Sequence, residues 1–432
     1  MANMRALMAD TRPLRTPEFR RLWTAGIVTL IGAQLTVVAV PAQIYELTRS
    51  SAYVGLTGVF GLVPLVVFGL YGGSLADVMD RRTLLRITTV GLILSSGLFW
   101  VQALMGLHNV WVLLVLFSVQ QSFFAVNQPT RSAVLPRILP EEELPAANSL
   151  NMTVMQFGAI AGPLVGGALL PVFGFSWLYL LDTLSLVATL WAVIALPPLP
   201  PDGNAPKAGL RSVLDGFAYL RNHKVLLMSF LVDIIAMLFG MPRALFPQIA
   251  HESFGGPAEG GLVFALLFAA IPAGAVLGGV FSGWVSRTER QGYAVIVAIV
   301  VWGLGIVVFG VAVGFAHGSH AGVLLIVALV ALAVSGAADM ASAAFRSTML
   351  QSAASDDVRG RLQGVFTVVV AGGPRLADVA HGGAAALVGT SAAAAGGGVL
   401  VVILVIAAAL LVPAFVRYRV VREAAAPMPV GG

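Results

Sequence analysis

A few charged side chains stand inside long apolar runs, and the chemistry open to this chain is concentrated in them. Asp233 lies nine residues beyond Lys224. On a helix rising about 1.5 Å per residue it is about 14 Å along its segment, among leucine, isoleucine, methionine and phenylalanine. A charge in such surroundings is costly unless water or a partner reaches it. An acid placed this way can take up a proton in one setting and release it in another, which suits a proton or substrate site. The plainer role is a structural hydrogen bond to a neighbouring helix.

Arg375 and Asp378 are three residues apart, with His381 a further turn along. On a helix they share a face and are expected to pair with each other. Alternatively, substrate or proton competes for the pair, and Arg375 holds an anionic group through a bidentate contact. Asp182, Glu46 and Asp339 are further candidates for coupling; Asp339 precedes Arg346 by seven residues and belongs with an inner charge rim. Arg49, Arg243 and Glu252 read as outer-gate or snorkelling residues. Trp100, Trp111, Phe123, Phe124, Met155, Met237 and Phe239 either line an apolar cavity or simply pack.

Other chemistries lack their residues. There is no cysteine, and six scattered histidines form no ligand cluster, so no metal site and no cofactor are expected. His251-Glu252 is not followed by the second histidine of a metalloprotease motif. Neither Lys207 nor Lys224 stands in a phosphate-cradling glycine loop, so a nucleotide-driven pump would need a separate subunit. An enzyme is not expected.

The elements that must position these charges follow from composition. Of 432 residues, 58% are hydrophobic and 10% charged, against about 25% charged in soluble domains. With a mean hydropathy of +0.91, most of the surface must face lipid. Twelve apolar runs are long enough to cross a bilayer: 22–45, 53–76, 84–105, 110–130, 147–171, 174–196, 223–247, 259–284, 291–315, 321–345, 361–388 and 396–416. Helices are required, since strands would leave backbone groups unpaired and the runs lack a barrel's alternation. The first run sits behind Arg15, Arg20 and Arg21 without a cleavage site, so no cleavable signal peptide is expected. All 25 lysines and arginines except Arg49, Arg243 and Arg375 fall in the tails and the even-to-odd connections. Both termini are therefore expected in the cytoplasm of a cell-membrane protein, and the +5 net charge marks orientation rather than nucleic-acid binding.

The chain also repeats itself. Pro41 and Glu46 match Pro247 and Glu252 at an offset of 206, and Gly72-Gly73 match Gly278-Gly279. Further on, Arg131, Ser132 and Leu135 match Arg346, Ser347 and Leu350 at an offset of 215, with an insertion near His317–His320 absorbing the difference. The expected organisation is a tail (1–21), a six-helix half (22–196), a linker with an amphipathic helix (197–222), a second six-helix half (223–416) and a tail (417–432). Parallel repeats of this kind place a site at their interface near mid-membrane.

Two motifs complete the picture. Gly73-Ser-Leu-Ala-Asp77-Val-Met-Asp-Arg81-Arg82 resembles the loop 2–3 signature of the major facilitator superfamily, G-x-x-x-D-R-x-G-R-R, with Val78 and Asp80 replacing a basic residue and a glycine. Gly158-x-x-x-Gly162-Pro163-x-x-Gly166-Gly167 resembles that superfamily's antiporter motif, with Ser149 where a further glycine is usual. The stretches beginning at Arg131, Leu144, Phe239 and Gly336 resemble the enterobactin-exporter branch, the transmembrane secretion effectors, over Phe19 to Arg419. This resemblance implies an all-α membrane protein with twelve transmembrane helices in the major facilitator fold. It implies proton-driven export of a siderophore or drug-like amphiphile, with an inner gate at Gly73, Asp77, Arg81 and Arg82. Drug or macrolide efflux, or import of a small metabolite, are the alternatives. Gln120 and Gln121 stand where many drug antiporters carry an arginine in helix 4, so coupling is not expected by that route. The expected partners are an amphiphilic small molecule, protons and lipid, with the chain acting as a monomer.

Overall fold

The computed structural model describes residues 10–200, 218–316, 320–353 and 356–419. The helices are α1 (Pro17–Thr48), α2 (Ser51–Val78), α3 (Arg81–Leu104) and α4 (Val110–Ile138), then a 51-residue helical stretch, Leu144–Ile194. Gly174, with φ 75° and ψ 175°, breaks that stretch into α5 (144–173) and α6 (175–194). The two segments run in opposite directions. A Cβ on Gly162 would meet Gln34 of α1, while Asp182 is bonded to Thr36, so residues either side of the break lie at one depth. The second half contains α7 (Lys224–Gly240), α8 (Leu262–Val280), α9 (Gln291–Gly314), α10 (Ala321–Ala353), α11 (Asp356–Val388) and α12 (Thr390–Leu411). No strand occurs among the described residues.

Ten helical stretches are long and apolar enough to cross a membrane, and the longest, Glu141–Ile194, contains the Gly174 break. With α11 this is the all-helical, multi-pass architecture that the hydropathy implies. α1 overruns its apolar run at both ends and α4 at its C-terminal end, whereas α8 falls short of the run 259–284 at both ends. α7 departs most: its regular part stops at Gly240, and the chain continues through short irregular helical turns, Arg243–Leu245, Phe246–Gln248 and Ile249–Ser253. Pro242 and Pro247 lack the N–H groups a continuous helix would need.

Local signals set the other boundaries. Asp80 caps α3 by accepting from the Thr83 N–H at 2.8 Å, and Asn109 caps α4 by accepting from the Trp111 N–H at 2.9 Å. Both chain ends of the helical bundle lie at one end, called basal; α1 and the irregular turns that follow α7 finish together at the other, distal end, where Tyr45 meets Glu252. Within the first half α1 packs along α5, and within the second α9 packs between α10 and α12; α2 against α11 and α5 against α8 join the halves. The largest fully buried side chains are aromatic, among them Tyr45, Phe99, Tyr179, Phe264 and Phe309. Residues 201–217, which hold most of the expected amphipathic linker helix, and 317–319, the expected insertion, lie outside the described residues. Where the chain is described again, Leu220 is buried against Leu226, Phe230 and Leu350.

Candidate functional site

Asp233 is completely buried on α7 and forms an ion pair with Arg346 of α10, itself 5% exposed. Arg346 was expected at a basal rim; α10 instead extends to Ala353, which draws the guanidinium inside the bundle. Ser342, one turn earlier, accepts from Arg346 Nε at 3.2 Å. Asp339, a further turn along the same helix, lies within the electrostatic reach of Arg346, Asp233 and Arg243. Such a pair is held by the cost of separating it: removing one partner strands a buried charge, at about 3–5 kcal/mol.

Arg375 reaches in another direction. Gly55 and Gly58 let α11 press against α2, since a Cβ on Gly58 would strike the Arg375 carbonyl and one on Gly55 would lie 2.6 Å from the Asp378 carbonyl. The Arg375 side chain then crosses to α4, where Nη2 donates to Gln121 Oε1 at 3.1 Å and the guanidinium lies 5.2 Å from the Phe117 ring centroid. The expected Arg375–Asp378 ion pair does not form. A planar guanidinium finds an amide and an aromatic face across the interface, and Asp378 is left to the fields of Arg243 and Arg375. His381 is buried, and Gly397 of α12 is small enough to admit both its ring and the Phe239 carbonyl.

Arg243 was expected as an outer-gate or snorkelling residue. It occupies the break after α7, half-buried, where its charge acts on Asp339, Asp378 and Arg375. The second half thus gathers Arg243, Arg346 and Arg375 with Asp233, Asp339 and Asp378, equal numbers of each sign. Gln121, Phe117, Ser342 and Arg346 were not singled out from the sequence as parts of this set. The 215-residue offset that matched Arg131 to Arg346 was the available signal for the last of them.

The first half is organised around hydrogen bonds from hydroxyl and amide groups, with no buried ion pair among the described residues. Asp182 Oδ2 accepts from Thr36 at 2.7 Å and from Ser96 at 2.8 Å, tying α6 to α1 and α3. Gln43 and Gln102 exchange amide bonds, and Tyr179 donates to Gln43 Oε1 at 2.9 Å. Arg131 donates to the Leu22 carbonyl at 3.0 Å beside Gly26. The repeat puts an arginine of the fourth helix against the first helix of each half, but among the described residues only the second half answers with an acid.

The small residues of α5 serve packing. Gly158 and Gly162 accept Leu30 and Gln34 of α1, and Gly166 lies against Leu35 and Val38. Gly167 faces Ala265 and the Gly261 carbonyl across the halves, and Pro163 is buried between them. At the basal end the Asp77 side chain lies outside the described ones, and Gly73 is part of α2. Arg82 donates to the Ile194 carbonyl at 2.6 Å, and Arg81 N–H to the Leu199 carbonyl at 3.0 Å. Asp80, which departs from the family signature, also accepts from the Leu199 N–H at 2.6 Å. Burial pushes the Asp80 carboxyl up, but bonds from Thr83 and Leu199 and the nearby Arg82 outweigh it and hold the group below its ordinary value.

The distal end is closed by bonds between the halves. Tyr45 donates to Glu252 at 2.9 Å, Ser51 Oγ to Gln248 Oε1 at 2.6 Å, and Arg49 Nη1 meets His251 Nε2 at 3.1 Å. Glu46, half-buried, makes none of these; its neighbours Tyr45 and Arg49 do. Trp111 and Met155 are more than half exposed on the outside of their helices, whereas Met237 is buried against Gly373.

Residues 8–427 match the family of transmembrane secretion effectors. The chain is 28% identical over 396 residues to the enterobactin exporter EntS of Shigella boydii serotype 18, covering 88% of each chain, and equally to that of Escherichia coli O1:K1 / APEC. Among solved structures it resembles a bacterial homologue of the iron transporter ferroportin in an inward-facing state, with a TM-score of 0.69, 13% identity and coverage of 93% of this chain and 98% of that one. It also resembles a D-xylose-proton symporter, with a TM-score of 0.68, 14% identity and coverage of 91% and 97%. These likenesses place the chain in the major facilitator fold.

Proposed function

The chain belongs to the transmembrane secretion effector family, and from that premise we propose that it is a secondary exporter working by alternating access. The two halves rock about a central site, and the distal seal at Tyr45, Arg49 and Ser51 is one of its two end states. In this reading the basal end faces the cytoplasm and the distal end the outside, which the concentration of basic residues at the basal end supports. The substrate is a siderophore or drug-like amphiphile, a reading supported by relatives named as enterobactin exporters.

The observation that carries this reading is the crossing of Arg375 to Gln121 at mid-depth. A cation held between the halves by one neutral amide can exchange that partner for a substrate's anionic group, and the exchange is felt by both halves. Asp233, shared between Arg346 and a proton, is the candidate for coupling, with Asp339 and Asp378 in the same field and Asp182 and Glu46 outside it. The inner gate is assigned to Gly73, Asp77, Arg81 and Arg82. The chain acts as a monomer in the cell membrane.

Flux in inside-out vesicles under an imposed proton gradient tests the coupling. Substrate movement should follow the gradient and lose that dependence in Asp233→Asn; flux indifferent to both would remove protons from the reading. Comparing metabolites released by cells with and without the gene identifies the substrate. An unchanged release profile with raised sensitivity to lipophilic drugs favours drug efflux.

A further inference from the structure

The geometry points to His251 as a proton-binding site at the distal end, whose occupation releases the contact between the two halves. This rests on the alternating-access reading, in which the distal seal must open in each cycle.

The two ring nitrogens of His251 have fixed and different roles. Nε2 lies 3.1 Å from Arg49 Nη1, and Nδ1 lies 2.8 Å from the Gly256 carbonyl. A guanidinium has donors only, so Nε2 must offer a lone pair; a carbonyl only accepts, so Nδ1 must carry the ring hydrogen. The contact therefore exists with a neutral imidazole and no other form. A second ring proton would put N–H against N–H and one positive charge against another, with no acceptor between them. Arg49 cannot relieve the conflict by losing its own proton.

Arg49 is also held in place by its backbone. It is the one described non-glycine residue with positive φ, 52°, and it ends α1 in the left-handed region two residues before α2 begins. A residue keeps that conformation when its surroundings fix it, so the direction in which the side chain leaves the backbone is set, while the exposed guanidinium, 6.0 Å from the Tyr45 ring centroid, is the part that moves when the ring is protonated. The remaining charges around His251 favour its departure. On α1, Tyr45 packs edge-on against the ring at 6.1 Å but donates its hydroxyl to Glu252. Glu252, next in sequence, is exposed and already accepts from Tyr45 and Gln248. Glu46 on α1 lies in the field of Arg49, His108 and Glu259. α8 and α9, which also pack on this segment, carry no charged side chain. An imidazolium thus leaves Arg49 for the exposed carboxylate of Glu252. His251 is partly exposed at the distal end, so water on that side supplies the proton.

The absence of native cysteine makes the test direct. Leu107→Cys in the α3–α4 turn and Phe315→Cys at the distal end of α9 are exposed and outside the seal, so spin labels on them report the distance between the halves. In purified protein without substrate or gradient, acidification from about pH 8 to about pH 5.5, the range in which imidazole changes charge, should shift the distance distribution to a longer mean. His251→Gln keeps an acceptor for Arg49 and a donor for Gly256 but cannot titrate, and should stay at the short distance throughout. Arg49→Gln can donate to neutral histidine or accept from its protonated form, and should also lose the response. An unmodified chain that shows no lengthening overturns the proposal, as does a response that persists in His251→Gln. Because no flux is measured, a failed transport assay leaves this result standing, and a missing pH response leaves export untouched.

Discussion

Arg375 of α11 and Gln121 of α4 are 254 residues apart and join the two halves by a single hydrogen bond of 3.1 Å at mid-depth. If this bond is what substrate replaces, the two residues have unequal weight. Arg375→Lys keeps the charge but loses the planar fork and its stacking on Phe117, and should raise the substrate concentration for half-maximal flux about tenfold. Gln121→Ala leaves the cation free to meet substrate and should leave that concentration equal or lower. Flux titrations in proteoliposomes decide it; equal losses in both variants would assign the bond to packing.

Asp233 and Arg346 separate stability from coupling. Asp233→Asn alone leaves a buried guanidinium without its anion, at a cost of about 3–5 kcal/mol, and should lower the melting temperature in detergent. Combining it with Arg346→Met removes both charges and should restore most of that loss while leaving flux insensitive to the proton gradient. A double variant that melts normally and still follows the gradient would place coupling elsewhere, with Asp339 and Asp378 next to be changed.

Asp80 makes a prediction outside the membrane. Its carboxylate caps α3 and fastens the Leu199 N–H, so Asp80→Ala should cost about 1 kcal/mol of stability. The carboxyl is held below its ordinary value in the folded chain. The stabilisation is therefore complete above the ordinary carboxylate range and is lost only as pH falls through and below it. The melting difference between the two proteins should be constant from about pH 8 to about pH 5. A difference that already fades across that interval would mean that another group holds the cap.

Much of this was legible in the sequence because lipid imposes one-dimensional rules. Apolar runs, their arginine-marked connections and the glycine face of α5 follow from local composition, and each reappears as a helix or a packing contact. Pairing between charges was less legible. Arg375 and Asp378 share a helix face, yet partner choice was settled by Gln121, a neutral residue on another helix. Arg346 was assigned to a rim because its helix was read as ending at 345; the bundle carries that helix to Ala353. Spacing reports which residues of one helix are neighbours, whereas the distal seal depends on how two halves meet, and no local pattern encodes that.

The meeting of the halves can be disturbed at one atom. A Cβ on Gly58 would collide with the Arg375 carbonyl, whereas one on Gly69, three turns along the same helix, would meet nothing within 4 Å. Gly58→Val should therefore wedge α2 from α11. Overpacking of this kind costs about 1–3 kcal/mol, which lowers the population of the distally closed state about 5–150-fold. Gly69→Val should leave it unchanged. With labels at Leu107→Cys and Phe315→Cys, the first variant should show a longer distance between the halves at neutral pH and the second the original one. If both variants keep the short distance, the contact at Gly58 is not what limits closure. If both lengthen, the effect belongs to valine in α2 and not to the interface.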